Sequence, residues 1–176
     1  GDVLNFQTSM TRLYLKGKRN ASKKEMQDVH AINPKMVDRR QEEALRWVSV
    51  IVPTYNRQDL VVNALESISA QTYRPIEVIV VDDGSTDDTV SVVRKWAERH
   101  RQDKEFEVLC IKQSNKGANF SRNYGISQAV GEFVAFLDSD DTWLPDKLQK
   151  QMAIFAAKPS IGAVYCGLRY IDLDTG

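Results

Sequence analysis

Five short apolar segments, separated by amphipathic stretches, constrain the fold of this chain more than any other feature. The stretches between them carry apolar residues at helical spacing, as Val61, Ala64, Leu65 and Ile68 do at positions i, i+3, i+4 and i+7. Strands and helices that alternate in this way predict an α/β fold, with a mostly parallel sheet covered by helices on both faces. The predicted strands are residues 48–52, 76–81, 108–112, 133–137 and 162–167.

Residues 1–46 differ in character from the rest of the chain. They are polar, rich in Lys, Arg, Gln, Asp and Glu, and interrupted by Asn33-Pro34. We therefore expect a boundary near Trp47, with residues 1–46 as an N-terminal extension and residues 47–176 as the α/β domain. Helical spacing favours short helices at 22–32 and 35–45, and a solvated arm is the alternative.

Composition narrows the possible partners. The chain has 176 residues, 42% of them hydrophobic and 27% charged, as expected for a globular domain with a core. The formal net charge is zero, so no overall field attracts nucleic acid or an acidic membrane, and we expect no nucleic-acid partner. Cys110 and Cys166 lie in strand-like segments and are predicted to be buried, reduced thiols, with a disulfide as the alternative.

The sequence contains no apolar run of bilayer-spanning length and no basic segment followed by an apolar one at its start. These observations predict a cytoplasmic protein and leave peripheral membrane contact open.

Local signals predict the ends of the helices: Thr86 as an N-cap, Gly131 as a terminator and Pro145 as a first residue.

Polar residues follow three of the predicted strands directly. They occupy residues 53–57, 82–85 and 138–141. Ligands of open parallel sheets bind at the carboxyl ends of the strands, where loops and helix N-termini converge. We therefore expect these clusters to meet along one edge of the sheet.

The third cluster holds three carboxylates in four residues, those of Asp138, Asp140 and Asp141. Carboxylates this close repel one another unless a cation neutralises them. Oxygen ligands suit Mg²⁺ or Mn²⁺, which bind through one or two carboxylates and the oxygens of a diphosphate. The alternative is an acidic, solvated turn that caps the next helix.

The segments Val-Ile-Val-Pro-Thr-Tyr-Asn-Arg (50–57), Val-Val-Asp-Asp-Gly-Ser-Thr-Asp (80–87) and Phe-Leu-Asp-Ser-Asp-Asp (136–141) resemble glycosyltransferase family 2. The resemblance covers residue 48 to about residue 170. It implies the GT-A fold, a Rossmann-like nucleotide-diphospho-sugar transferase domain with an Asp-x-Asp metal motif, here apparently truncated at its C-terminal end.

The resemblance also implies roles for individual residues. Tyr55 would offer its ring to the nucleotide base, Asp82 would accept the imide N–H of a uracil, and Arg122 would face the nucleotide. Asp140 would bind Mn²⁺ or Mg²⁺, and Asp138 would touch the ribose or the metal. The implied donor-binding residues are Pro53, Thr54, Tyr55, Arg57, Asp82, Asp83, Gly117, Arg122 and Asp138.

Each of these positions also has a structural alternative. The turn at residues 53–55 could merely end a strand, Asp82 and Asp83 could cap the next helix, and Arg122 could form a surface ion pair. Ser121 departs from the alanine that the family usually has there.

The reaction that the resemblance implies is transfer of a sugar from a nucleotide-diphosphate donor, a UDP-sugar, to a saccharide, lipid-linked or protein acceptor, with inversion. The general base of such enzymes lies downstream of the metal motif and, for this chain, is expected beyond residue 176. The chain is therefore expected to supply the half that binds the donor and the metal.

Two other classes of function remain open at this stage. Residues 134–142 also match the Asp-x-Asp-x-Thr nucleophile motif of haloacid-dehalogenase-like phosphatases, with Asp138 and Asp140 as the carboxylates. That motif usually follows the first strand, whereas three predicted strands precede it here. A non-catalytic nucleotide-binding module is the second alternative. The sequence contains neither the Gly-x-Gly-x-x-Gly nor the Gly-Lys-Ser/Thr phosphate loop that dinucleotide-binding and P-loop proteins use.

Overall fold

The computed structural model describes residues 12–15 and 46–167 of the chain. Strands and helices alternate from residue 48 onward, as the periodicity predicts. The strands are β1 (Arg12–Leu15), β2 (Val48–Thr54), β3 (Ile76–Asp82), β4 (Phe106–Lys112), β5 (Phe133–Phe136) and β6 (Ala163–Tyr165). The helices are α1 (Val61–Ser69), α2 (Thr89–Glu98), α3 (Ala118–Gln128) and α4 (Lys147–Ala157).

The strands form one sheet in the order β4-β3-β2-β5-β1-β6. Strands β4, β3, β2 and β5 are parallel, and β1 runs antiparallel to both β5 and β6. The register aligns Thr54 with Asp82 and Asp82 with Lys112, so the carboxyl ends of β2, β3 and β4 lie level with one another. The predicted mostly parallel sheet is confirmed.

Helices cover both faces of this sheet because successive side chains of a strand point in opposite directions. Val50 and Val52 of β2 pack in the larger core cluster, together with Leu65 of α1, Val93 of α2 and Leu148 of α4. Ile51, between the two valines, packs in a second cluster with Ala129, Tyr124 and Ile126 at α3. The layer of α1, α2 and α4 thus opposes α3 across the sheet.

The N-terminal part of the chain contributes to this sheet through β1, a strand that the sequence analysis did not anticipate. It assigned residues 1–46 to a polar extension outside the α/β domain, yet β1 lies between β5 and β6. Hydrogen bonds of the sheet involve the backbone, so a short strand can form without a strong apolar pattern. The helices predicted at 22–32 and 35–45 lie outside the described residues.

Several predicted helix ends were wrong. Thr86 does not cap α2, which begins at Thr89 after Asp88, and the Thr89 N–H donates to Asp87 Oδ1 instead. Helix α4 begins at Lys147 rather than at Pro145. Gly131 does not terminate α3, which ends at Gln128. A Cβ at Gly131 would lie 2.7 Å from the Trp47 carbonyl oxygen, so glycine is required there for close packing.

The cysteines are less buried than predicted. Both thiols are free, Cys110 is half-buried and Cys166 is exposed. Cys166 follows the short β6, in which Val164 alone is buried in the core and the residues at positions 163 and 165 are exposed. None of the helices in the described ranges is long and apolar enough to cross a bilayer.

Candidate active site

A cleft of about 310 Å³ lies at the carboxyl ends of β2, β3 and β5, beside the first turn of α3. The three polar clusters meet there, as expected for the carboxyl edge of a parallel sheet. The residues that line the cleft are Pro53, Thr54, Tyr55, Arg57, Asp83, Ala118, Ser121, Arg122, Asp138, Ser139, Asp140 and Asp141.

The loops that follow β2 and β3 are fastened to each other. Asn56 adopts a left-handed backbone conformation with φ of 50°, which asparagine tolerates better than most residues. Its N–H donates to Ser85 Oγ at 2.9 Å, and its Oδ1 accepts the N–H of Thr86 at 2.9 Å. The Arg57 N–H donates to Thr89 Oγ1 at 2.8 Å. These bonds hold Tyr55, which is 45% exposed, at the mouth of the cleft.

Asp82 lies beneath the cleft and does not line it. Its side chain is fully buried, and Oδ1 accepts the N–H of Ser85 at 3.0 Å, which closes the turn after β3. Gly84 in this turn has φ of 84°, and a Cβ there would lie 3.0 Å from the backbone nitrogen of Asn115. Asp83, rather than Asp82, is therefore the carboxylate of this pair that lines the cleft.

Asp83 is held by the loop between β4 and α3. Oδ1 accepts hydrogen bonds from Gln113 Nε2 at 2.7 Å and from the Lys116 N–H at 2.9 Å. Oδ2 accepts the N–H of Gly117 at 2.7 Å. Burial raises the pKa of Asp83, but these hydrogen bonds together hold that pKa below its ordinary value. Asp83 is consequently an ionised acceptor in the cleft.

Arginines neutralise two of the carboxylates that follow β5. Arg122 Nη2 lies 2.6 Å from Asp138 Oδ1, and Arg57 Nη2 lies 3.7 Å from Asp140 Oδ2. Carboxylates this close together need a neutralising cation, and in the structure each of the two has a guanidinium within ion-pair distance. The ion pair of Arg122, which was the alternative to a nucleotide contact, thus forms within the cleft where that contact was expected.

The acidic cluster also offers oxygen ligands for a metal ion. Within the described ranges, no group of three or more His, Cys, Asp or Glu residues is arranged to hold a metal ion. Asp138 and Asp140 nevertheless offer oxygen ligands on the wall of one cleft. Mg²⁺ and Mn²⁺ commonly take only one or two protein carboxylates and complete their coordination with water and phosphate oxygens. The donor set therefore fits an ion that arrives with a phosphorylated ligand.

The cleft brings together all of the residues predicted to bind donor or metal except Asp82 and Gly117. Gly117, with φ of 90°, acts on the cleft through its hydrogen bond to Asp83. The sequence analysis missed Gln113, which contacts both Asp83 and Ser121. Its position directly after β4, at the same edge of the sheet as the three clusters, was the available signal.

Comparisons with known proteins agree with this geometry. A family model described as Glycosyl transferase family 2 matches residues 49–175. The UDP-Glc:alpha-D-GlcNAc-diphosphoundecaprenol beta-1,3-glucosyltransferase WfaP of Escherichia coli is 41% identical over 109 residues, which are 61% of this chain and 41% of that protein.

Two solved structures are similar as well. S. aureus TarS 1-349 in complex with UDP-GlcNAc has a TM-score of 0.54 and 37% identity, over 62% of this chain and 31% of that one. The mannosyltransferase PcManGT from Pyrobaculum calidifontis, in complex with GDP-Man and Mn²⁺, has a TM-score of 0.58 and 35% identity, over 69% of this chain and 35% of that one. The chain thus spans less than half of each of these three proteins. The phosphatase and non-catalytic alternatives gain no support.

Proposed function

The chain belongs to glycosyltransferase family 2, and on that premise we propose that it binds a nucleoside-diphosphate sugar with a uracil base in the cleft. The observation that carries this proposal is the convergence of an aromatic ring, an ionised carboxylate, two arginines and three further carboxylates in one cleft. An aromatic ring and a carboxylate can bind a base, arginines can bind a diphosphate, and carboxylates can bind a cation.

The base would lie between the loops after β2 and β3. Tyr55 presents a partly exposed ring that can pack against a base. Asp83 supplies an ionised acceptor, and a hydrogen bond from an N–H to an ionised acceptor is stronger than one to a neutral acceptor. We assign to Asp83 the recognition of the imide N–H of uracil.

The diphosphate would lie between the arginines and the acidic cluster. Arg57 and Arg122 supply permanent positive charge, and a guanidinium can donate two hydrogen bonds to a phosphate. Asp138 and Asp140 would hold Mn²⁺ or Mg²⁺, which stabilises the negative charge that develops on a leaving diphosphate.

The chemistry proposed is direct displacement of the nucleoside diphosphate by an acceptor hydroxyl, which inverts the anomeric carbon. The acceptor hydroxyl must lose a proton, so a general base is needed in addition to the groups in the cleft. None of the residues that line the cleft is assigned to that role. The acceptor is a saccharide, a lipid-linked sugar or a protein.

Calorimetric titration of the chain with UDP, with and without Mn²⁺, tests the proposal. We expect binding that Mn²⁺ strengthens, and we expect Asp140→Asn to remove most of that strengthening because it removes a charged oxygen ligand. Glu98→Gln is the matched control, since Glu98 is exposed, does not line the cleft and forms a surface ion pair with Arg101. A UDP affinity that changes neither with Mn²⁺ nor with Asp140→Asn would reject the metal assignment. An absence of UDP binding would reject the proposal.

A further inference from the structure

Gln113 occupies a central position behind Asp83. Its side-chain amide donates from Nε2 to Asp83 Oδ1 at 2.7 Å and to Ser121 Oγ at 3.1 Å. The backbone N–H of Gln113 donates to the Asp82 carbonyl oxygen at 2.9 Å, which extends the pairing between β3 and β4 by one residue. The residue is therefore fixed to the sheet by its backbone and to the cleft by its side chain.

The orientation of this amide favours donation over acceptance. Gln113 Oε1 is buried and has no hydrogen-bond partner within the described part of the chain. Leaving a buried acceptor unpaired costs free energy. The opposite orientation would place Oε1 against the ionised Asp83 and repel it. In this orientation Nε2 donates two hydrogen bonds while Oε1 accepts none from the described residues.

The hydrogen bonds on Asp83 leave little of its carboxylate for a ligand. An ionised carboxylate offers about four lone-pair positions. Gln113 and the Lys116 N–H occupy two on Oδ1, and the Gly117 N–H occupies one on Oδ2. Asp83 is only 5% exposed, yet it lines the cleft. The Ser121 hydroxyl is a further donor that helps to lower the pKa of Asp83. Oδ2, whose backbone donor is the Gly117 N–H, is therefore the less occupied oxygen and the one open to an incoming N–H.

We propose that Gln113 is a positioning residue that fills the spare acceptor position of Asp83 and thereby makes the cleft prefer uracil to guanine. This inference rests on the proposed function. Uracil presents a single N–H between two carbonyls, which matches one free acceptor. Guanine presents two adjacent donors, N1–H and N2–H, which match a carboxylate with both oxygens free. With Oδ1 saturated, the second guanine donor would be desolvated without a partner.

The substitution Gln113→Met tests this inference, because it keeps the length of the side chain and removes its donor. UDP should bind about 3- to 10-fold more weakly, and the preference for UDP over GDP should narrow by about tenfold because Oδ1 regains a free position. Loss of this donor also raises the pKa of Asp83 relative to the wild-type chain, since the Gln113 bond is one cause of its lowering. The decline of UDP affinity in acid should therefore begin at a higher pH in the variant than in the wild-type chain.

Two further variants make the result specific. Gln102→Met is the matched control, since Gln102 is exposed in the loop before β4, at the opposite edge of the sheet. Ser121→Ala removes the second partner of the Gln113 amide and should shift the UDP-to-GDP ratio in the same direction by a smaller factor. If Gln113→Met does not fold, the UDP-to-GDP ratio of Ser121→Ala tests the role of Gln113 in its place.

The outcomes separate the two proposals. If the wild-type chain binds UDP and the variants keep both its UDP-to-GDP ratio and its pH profile, the role of Gln113 is refuted while the proposed function stands. If the wild-type chain binds no UDP, both are refuted.

Discussion

Gly125 lies where helix α3 crosses β2, and replacing it by alanine tests the packing that positions the cleft. A Cβ at Gly125 would lie 2.5 Å from Cγ2 and 3.2 Å from Cγ1 of Ile51, which is fully buried. Ile51 is β-branched and sits on a central strand, so its Cγ2 has little freedom to move. The same helix carries Ser121 and Arg122 into the cleft.

The expected size of the effect follows from two opposing terms. Overpacking of a core costs about 1–3 kcal/mol, and a contact this short against a fixed side chain belongs at the upper end. Replacing glycine by alanine inside a helix returns about 1 kcal/mol. Gly125→Ala should therefore lower the free energy of unfolding by about 1–2 kcal/mol, the difference between these terms.

A second substitution should reverse the sign. Ile51→Ala removes both Cγ atoms and leaves the Ile51 Cβ at 3.4 Å, an ordinary contact distance. In that background Gly125→Ala should stabilise the chain by about 1 kcal/mol, because only the helix-propensity term remains. The measurement is urea unfolding followed by tryptophan fluorescence for the four members of this double-mutant cycle.

Gly162→Ala is the control, since a Cβ there meets no atom within 4 Å, and it should change stability by less than about 0.5 kcal/mol. Two results would contradict the proposed clash between Gly125 and Ile51. One is a Gly125→Ala variant as stable as the wild-type chain, and the other is a Gly125→Ala substitution that still destabilises the chain in the Ile51→Ala background.

Two other predictions concern charged groups. Arg122→Gln removes the ion pair with Asp138, and calorimetry should show UDP affinity falling by about tenfold or more while uridine affinity changes little, because the arginine is assigned to the phosphates; an equal loss for both ligands would contradict that role. Burial lowers the pKa of Lys147 to about 8, so the unfolded chain binds more protons between that value and 10.5, and stability gains from rising pH there. Lys147→Met removes this titration together with the hydrogen bond from Lys147 Nζ to Gln151 Oε1, so its stability in urea relative to the wild-type chain should fall from pH 7 to pH 10; a constant difference would refute the linkage.

The sequence predicted the sheet because its signals are periodic. The buried faces of β2 and β3 required continuous apolar runs, and the stripe on α1 required helical spacing. Strand β1 escaped prediction because backbone pairing leaves little trace in side chains. Thr86 was wrong as a helix end because a neighbouring side chain, that of Asp87, accepts the first N–H of α2. Pro145 precedes the start of α4 at Lys147, and local signals place helix ends only to within one or two residues.

The site was predictable in outline for a similar reason. Polar residues directly after apolar strands must converge at the carboxyl edge, which located Tyr55, Asp138 and Asp140. The sequence could not tell which of two adjacent aspartates faces the cleft. That choice depends on the turn closed by Asp82 and Ser85, and on donors from the loop before α3 that are more than 25 residues away in sequence.

A crystal structure of the chain grown with UDP and Mn²⁺ tests the central claim most directly. The account predicts uracil density beside Tyr55 with its imide nitrogen within hydrogen-bond distance of Asp83 Oδ2. It also predicts a diphosphate beside Arg57 and Arg122, and a metal ion bound by Asp140 or Asp138. Nucleotide density elsewhere on the chain, with Asp83 bonded only to the loop between β4 and α3 and the acidic cluster free of metal, would contradict it.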